Sequence, residues 1–424
     1  SPMFKIILLI ILAIFLVSSI LFVIRYWYLK SRAVKKIASI NVDEVQEWSD
    51  EFLQSKRMRT DDLADAIVKQ IMATNESEKV NHLFQLITKN KYKLSDDVPI
   101  ELRNYFTDTA KLPDWADKDL INLGQQIYIR HGIWISLLLS YKSLPECYAC
   151  AKGAEVLHMT ARLNERHGSK DTFSRRIAET AQFVLFCMEP GGLDEDGRGV
   201  EAAQKLRLIH AVIRYYIHKN NWDTETFDKP INQEDMAGTL MSFSSLIFEG
   251  LSVLGIELEP FEKEAYMHCW RVVGHLIGLD EDLIPKNSAD AVKLGNRILK
   301  HQMANSPQGS QLMKSLLDYQ NTTNNKATEL KNIATFRYMM GHDLSDMLDI
   351  PQAEQVDINK IAVKFRRTTK IMEWLDHSLI FAMLIQIVSK LGINVVIRKM
   401  TKSNIINFYL PKSLTLDWKK KKKK

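Results

Sequence analysis

The chain has 424 residues, 46% hydrophobic and 25% charged, enough to bury a large core, which excludes wholly disordered and low-complexity classes. Its 17 glycines and 11 prolines are about half the usual share, so long helices are expected rather than turn-rich β structure. Basic residues number 57 against 51 acidic ones, and the six lysines at 419–424 account for the whole net charge of +6; the body lacks the basic face of a nucleic-acid binder.

Residues 6–24 run without a charge, with Ser18 and Ser19 their only polar members. As a helix they come to about 28 Å, close to the hydrocarbon thickness of a bilayer. Arg25-Tyr26-Trp27-Tyr28 adds a cation and an aromatic belt, and no small-residue cleavage site follows, so residues 4–28 are expected to be a retained single-pass anchor. Arg25, Lys30, Arg32, Lys35 and Lys36 follow the span, whereas Lys5 alone precedes it. That asymmetry predicts a cytosolic domain on an inner or endoplasmic-reticulum membrane.

Residues 29–111 are charged and periodic in short pieces, at 61–72 and 80–86, and read as a helical connecting region. Long helical patterns follow at 133–139, 149–163, 172–188, 206–218, 237–254 and 260–279. They make 112–290 the core, 291–418 a C-terminal helical region, and 419–424 a lysine tail. Strand alternation is confined to 393–397 and 405–410, where a short hairpin is expected, and the fold class is all-α.

No glycine-rich phosphate loop of the Walker or dinucleotide type occurs. Gly191, Gly192, Gly197 and Gly199 fall between two helical patterns and read as the bend of an αα-hairpin. Cys147 and Cys150 form one CxxC without a second, and Ala151 stands where covalent haem attachment needs histidine, so both read as helix-face cysteines. Glu155-x-x-His158 matches half of a di-iron carboxylate site, but no second Glu-x-x-His exists. His268 and His275 share a face without a His-Glu-x-x-His motif, and no Gly-x-Ser-x-Gly elbow is present.

The first helix of the hairpin places Arg176, Thr180 and Phe183 on one stripe, and the second aligns Arg207, His210 and Arg214. An arginine and a hydroxyl on an apolar stripe, facing a histidine between two arginines, suit either an ordinary polar face or a ligand site. Asn232-Gln233-x-Asp235 reads as a helix cap. Trp270, Arg271 and Gly274 read as close helix packing around an interior arginine.

Taken in order, several short motifs resemble one family. They are Leu112-Pro113-x-Trp115, Ser143-Leu144-Pro145 with Tyr148, Arg175-Arg176-x-x-Glu179-Thr180, Arg207-x-x-His210-x-x-x-Arg214, Pro230-Ile231-Asn232-Gln233-x-Asp235, Phe243-Ser244 and Tyr266-x-x-x-Trp270-Arg271-x-x-Gly274. The sequence is similar over residues 112–285 to the rubber oxygenases (latex clearing proteins) and MpaB-type oxygenases. That resemblance implies an all-helical domain, with globin-like packing of the core helices, around haem b whose iron is held by His210. It also implies Arg207, Arg176 and Thr180 around the cofactor. Dioxygen and an apolar isoprenoid or lipid-like chain would be the reactants, with double-bond cleavage as the reaction. Rubber-cleaving members resemble one another in a lysine just before the threonine; Glu179 stands there instead, so a lysine-capped iron is not expected and Glu179 becomes a candidate acid or base. Glu155 is the nearest candidate for the family's upstream catalytic glutamate. The alternatives are a non-catalytic haem- or lipid-binding membrane protein, with Glu179 marking lost activity, and a di-iron lipid oxidase.

Overall fold

The computed structural model describes residues 2–39, 46–74, 76–88, 98–165, 172–321 and 325–376, with eight further positions between 381 and 395. The lysine tail and, apart from Val395, the expected hairpin lie outside the described residues. Helices dominate: α1 (Pro2–Ile37), α2 (Asp50–Lys56), α3 (Asp62–Ala73), α4 (Ser77–Thr88), α5 (Ile100–Thr109), α6 (Lys118–Leu138), α7 (Leu144–Ala149), α8 (Ala151–Glu165), α9 (Thr172–Met188) and α10 (Arg198–Lys219). The series continues with α11 (Thr224–Phe227), α12 (Gln233–Phe243), α13 (Leu246–Leu254), α14 (Pro260–Leu276), α15 (Ser288–Gln302), α16 (Pro307–Gln320), α17 (Lys326–Met340), α18 (His342–Met347) and α19 (Gln355–Asp376). Among the described residues there is no strand, only one antiparallel bridge between Cys150 and Met303. The fold is all-α.

Helix starts follow side-chain chemistry. Ser49, Asp61, Asp117 and Asn232 cap α2, α3, α6 and α12 by accepting backbone N–H groups of the first turn. At α14 a reciprocal box forms, in which Glu262 accepts the Glu259 N–H at 2.9 Å. Two expected helices are interrupted. The 149–163 pattern breaks at Cys150, whose extended ψ of 93° separates α7 from α8. The 237–254 pattern breaks at Ser244 and Ser245, whose hydroxyls hydrogen-bond the Leu240 and Ala291 carbonyls. Between α6 and α7 the chain widens into a π turn, Leu139–Ser143. Pro145 lies two residues past it, and a proline that cannot donate to the preceding turn accounts for the widening.

α6 and α14 form the central pair, where a Cβ at Gly124 would fall 2.3 Å from the Ala265 carbonyl oxygen, so glycine permits the close approach. Residues 29–111, expected as a connecting region, supply Leu53, Ala64, Val68, Ile71 and Leu102 to the same hydrophobic core as α6, α10 and α14. α1 continues past its apolar stretch and lays Leu29 and Ala33 against the domain. There Lys30 pairs with Glu259 at 3.4 Å, Arg32 with Asp119, and Lys36 with Asp117. Most apolar residues before this docking point, Ile10 and Leu16 among them, are exposed.

Candidate functional site

α9 and α10 form the expected αα-hairpin, with Arg198 at the start of α10 bonding Glu189 across the turn (Nε to Oε1 2.6 Å). Along α10, Arg207 and Arg214 point their charges at α3. Arg207 donates to both oxygens of Asp61, Nε to Oδ2 at 2.7 Å and Nη2 to Oδ1 at 2.8 Å. Arg214 donates through Nε to Asp65 Oδ1 at 2.8 Å and through Nη1 to the Ile231 carbonyl at 3.1 Å. Two aspartates one helical turn apart thus meet two arginines two turns apart, and His210 lies on the stripe between the pairs.

His210 is deeply desolvated. Burial, helped by the Arg214 charge and opposed by Asp61, lowers its pKa to about 3, so the imidazole is neutral at physiological pH. Its Nδ1 is buried and has no hydrogen-bond partner. The ring as a whole nevertheless keeps some accessible surface. Arg176 shows the same combination of desolvation and residual accessibility. Burial lowers the Arg176 pKa, with the nearby Tyr148 and Glu179 working against that shift, and the side chain remains partly accessible. No hydrogen bond or ion pair reaches its guanidinium among the described residues. From Phe173 to Ala181 on α9 no residue is fully buried, the apolar Ile177, Ala178 and Ala181 included.

Thr180 lies one turn after Arg176, and its Oγ1 donates to the Arg176 carbonyl at 2.8 Å, which engages the hydroxyl proton and leaves the oxygen's lone pairs. Glu179 is near enough to Arg176 to raise its pKa. Glu155, on α8, has a buried Oε2 without a partner. Arg207, which the resemblance sets around the cofactor, gives two hydrogen bonds to Asp61 on α3. Phe183 and Phe186 are buried in the core.

Of the other motifs, Asn232 caps α12 as expected, its Oδ1 accepting the Asp235 N–H at 2.9 Å. Gln233 donates to the carbonyls of Thr60 (3.0 Å) and Gly278 (2.9 Å) and accepts from the Asp280 N–H (2.8 Å), tying three segments together. Asp235 meets the fully buried Arg57 at 2.7 Å. Arg271 lies over the Trp115 ring, 4.5 Å from its centre, and Trp115 also contacts the His268 and His275 rings. His268 Nε2 accepts the Asp117 N–H at 2.8 Å and His275 pairs with Glu281 at 2.8 Å, so both serve packing. Burial pushes the Cys147 thiol up to about 12 and raises Cys150 as well, which makes the CxxC a pair of inert thiols. Among the described residues no group of three metal-ligating side chains exists, and Glu155-x-x-His158 is unaccompanied.

Residues 149–374 match the family described as "ER-bound oxygenase mpaB/B'/Rubber oxygenase, catalytic domain". The chain belongs to this family. The oxygenase match spans α8 to α19 and so contains Arg176, Thr180 and His210 together. The rubber oxygenase of Streptomyces sp. (strain K30) is 25% identical over 296 residues, which cover 68% of this chain and 70% of that protein. The structure of a latex clearing protein in the closed state superposes with a TM-score of 0.61 at 21% identity, covering 82% of this chain and 92% of that one, and so shares its fold. No motif singled out the residues that meet the arginines of α10: Asp61 and Asp65 of α3, and Gly278. The Asp-x-x-x-Asp spacing was their one sequence signal, and nothing local tied it to α10.

Proposed function

We propose that the protein is a membrane-anchored, haem b-dependent oxygenase that uses dioxygen to cleave double bonds in an apolar isoprenoid or lipid-like chain. His210 carries the reading: a neutral, buried imidazole with a ring nitrogen that no protein group takes is a donor prepared for iron. Haem supplies the dioxygen chemistry when bound. The protein's part is to hold, orient and keep dry. His210 would be the protein's iron ligand, its ring steadied by the Arg207–Asp61 and Arg214–Asp65 pairs on either side. Arg176 carries a permanent charge into a water-poor space without a carboxylate of its own, which suits a haem propionate.

Glu179 stands where the resemblance would place a lysine, so that position offers no amine to the iron. Glu155, with its unpartnered Oε2, is the carboxylate we assign to accept a proton from substrate, and Glu179 lies near Arg176. The apolar positions of α9, Ile177 and Ala181 among them, give an alkyl chain a greasy wall.

The anchor suits that substrate. α1 is one unbroken helix of 36 residues, about 54 Å long, whose first part is apolar on every side and whose last part is ion-paired to α6 and α14. A domain held so close to a bilayer meets water-insoluble chains where they are concentrated. The cation bias after the span supports a cytosolic side for that domain. The test is oxygen uptake by the full chain, loaded with hemin in vesicles containing a polyprenyl substrate. Uptake coupled to aldehyde or ketone products is expected; a haem-loaded protein that gives no carbonyl product is a binder, and the reading fails.

A further inference from the structure

α19 has one face docked and one face open. On the docked side Phe365 stacks on Tyr338 with ring planes 7° apart, and Thr369 Oγ1 donates to the Leu254 carbonyl at 2.6 Å. On the open side Val356, Val363, Ile371 and Trp374 fall on one stripe, and Trp374 is 75% exposed. Lys360, Lys364, Arg367 and Lys370 are interleaved with them, all exposed. A groove of 540 Å³ along this stripe is lined by Val356, Val363, Lys360, Lys364 and Arg367 with two polar neighbours. Lys364 also depresses the pKa of Lys331 on α17 by like-charge repulsion, which marks an excess of positive charge. Apolar side chains alternating with long cations are what a helix at a headgroup layer presents.

A second observation fixes the partner. Past α19, Met383 is 5% exposed and its Sδ lies 3.5 Å from the Ser19 hydroxyl, itself 7% exposed. Ser19 lies within the apolar run of α1, about 9 Å along the helix from Arg25. The C-terminal segment therefore touches α1 at membrane depth. Around that contact Leu384, Ile387, Val388, Leu391 and Val395 are all exposed. A second protein copy would leave the cations without counter-charge, whereas anionic lipid supplies phosphates for the cations and acyl chains for the apolar residues.

We infer that the C-terminal half of α19 and Leu384, Ile387, Val388, Leu391 and Val395 make a second membrane contact beside α1. Ile371 and Trp374 sit at the lipid interface, Arg366, Arg367 and Lys370 bind lipid phosphate, and Leu384, Ile387 and Val388 reach the acyl region. This rests on the anchor reading, because α1 defines where the bilayer lies. Two contacts instead of one fix the tilt of the domain on the membrane.

The test places a diazirine-bearing residue at Leu9, Trp374, Val388 or Leu63 of the full chain in vesicles of phosphatidylcholine and phosphatidylglycerol, and analyses photoadducts by mass. Lipid adducts at 374 and 388 as abundant as at 9, with none at 63, are expected, and omitting phosphatidylglycerol lowers those at 374 but not those at 9. Adducts at 9 with none at 374 and 388 overturn the second contact and leave the anchor standing. No adducts at 9 overturn the anchor itself, and with it this inference. Cross-links from 374 to another copy of the chain, without lipid adducts, make the stripe a self-association face and overturn the proposal, as does an adduct yield at 374 indifferent to anionic lipid.

Discussion

Arg207 and Asp61 are 146 positions apart in sequence and joined by two parallel hydrogen bonds of 2.7 and 2.8 Å. The Asp61 carboxylate does a second job at the same time, capping α3 by accepting the Ala64 N–H at 3.3 Å. One side chain thus starts the helix that faces His210 and orients the arginine one turn before it.

Asp61→Asn keeps the shape and cap of that residue but leaves the buried Arg207 charge without its counter-ion. A loss of about 3–5 kcal/mol in stability is expected, because an uncompensated buried charge costs more than the pair contributes. The double variant Asp61→Asn/Arg207→Met recovers part of it. Chemical denaturation of the single and double variants measures both, and equal stabilities for the two would contradict the argument.

Gly278 has a φ of +83°, and a Cβ there would lie 2.5 Å from Asp61 Oδ2 and 2.8 Å from Arg207 Nε. Gly278→Ala therefore strains the backbone and pushes into the pair, for a cost of about 1–3 kcal/mol. If the pair steadies His210, the variant also weakens hemin uptake; a destabilised chain with unchanged hemin affinity would uncouple the two.

Arg176 offers a prediction of opposite signs. Its guanidinium is desolvated without a paired carboxylate, so Arg176→Met should stabilise the cofactor-free protein by about 1–2 kcal/mol while weakening hemin binding. Thermal unfolding without hemin and hemin titration read the two halves separately. A destabilised apoprotein would mean that Arg176 serves the fold.

Acid sensitivity follows from three buried histidines. His131, His210 and His268 each have a pKa lowered to about 3, burial being the main cause. The unfolded chain binds protons at these sites below about pH 6.5 and the folded chain does not until near pH 3, so stability falls as pH drops through that window. Each histidine contributes up to about 1.4 kcal/mol per pH unit. His131→Leu, which removes one of them outside the site, should flatten the dependence between pH 6.5 and 5 by about that amount. An unchanged slope in denaturation midpoints would show that His131 takes up its proton while folded.

Much of this architecture was legible beforehand because it is local. The apolar run, the α9 and α10 patterns, the bend between them and the Asn232 cap are written in neighbouring residues. What stayed hidden depends on distant partners. Nothing near Asp61 or Asp65 announces that they face Arg207 and Arg214, so residues 29–111 read as a connector although α3 packs on α10. The place of Arg207 on the His210 stripe is local and legible, while its carboxylate partner Asp61 is not. Nor do helix patterns show that the Thr180 hydroxyl returns to the Arg176 carbonyl. The breaks at Cys150 and Ser244 occur inside continuous apolar periodicity, where the hydroxyls and a bridge to Met303 override the pattern.

The most direct measurement is the absorption spectrum of the full chain after hemin reconstitution, compared with His210→Ala and with the charge-conserving His210→Gln. The account predicts a protein-bound Soret band that both substitutions abolish or shift to that of free hemin, while the circular dichroism of the helices is retained. A Soret band identical in all three proteins, or a wild-type chain that binds no hemin, would contradict it.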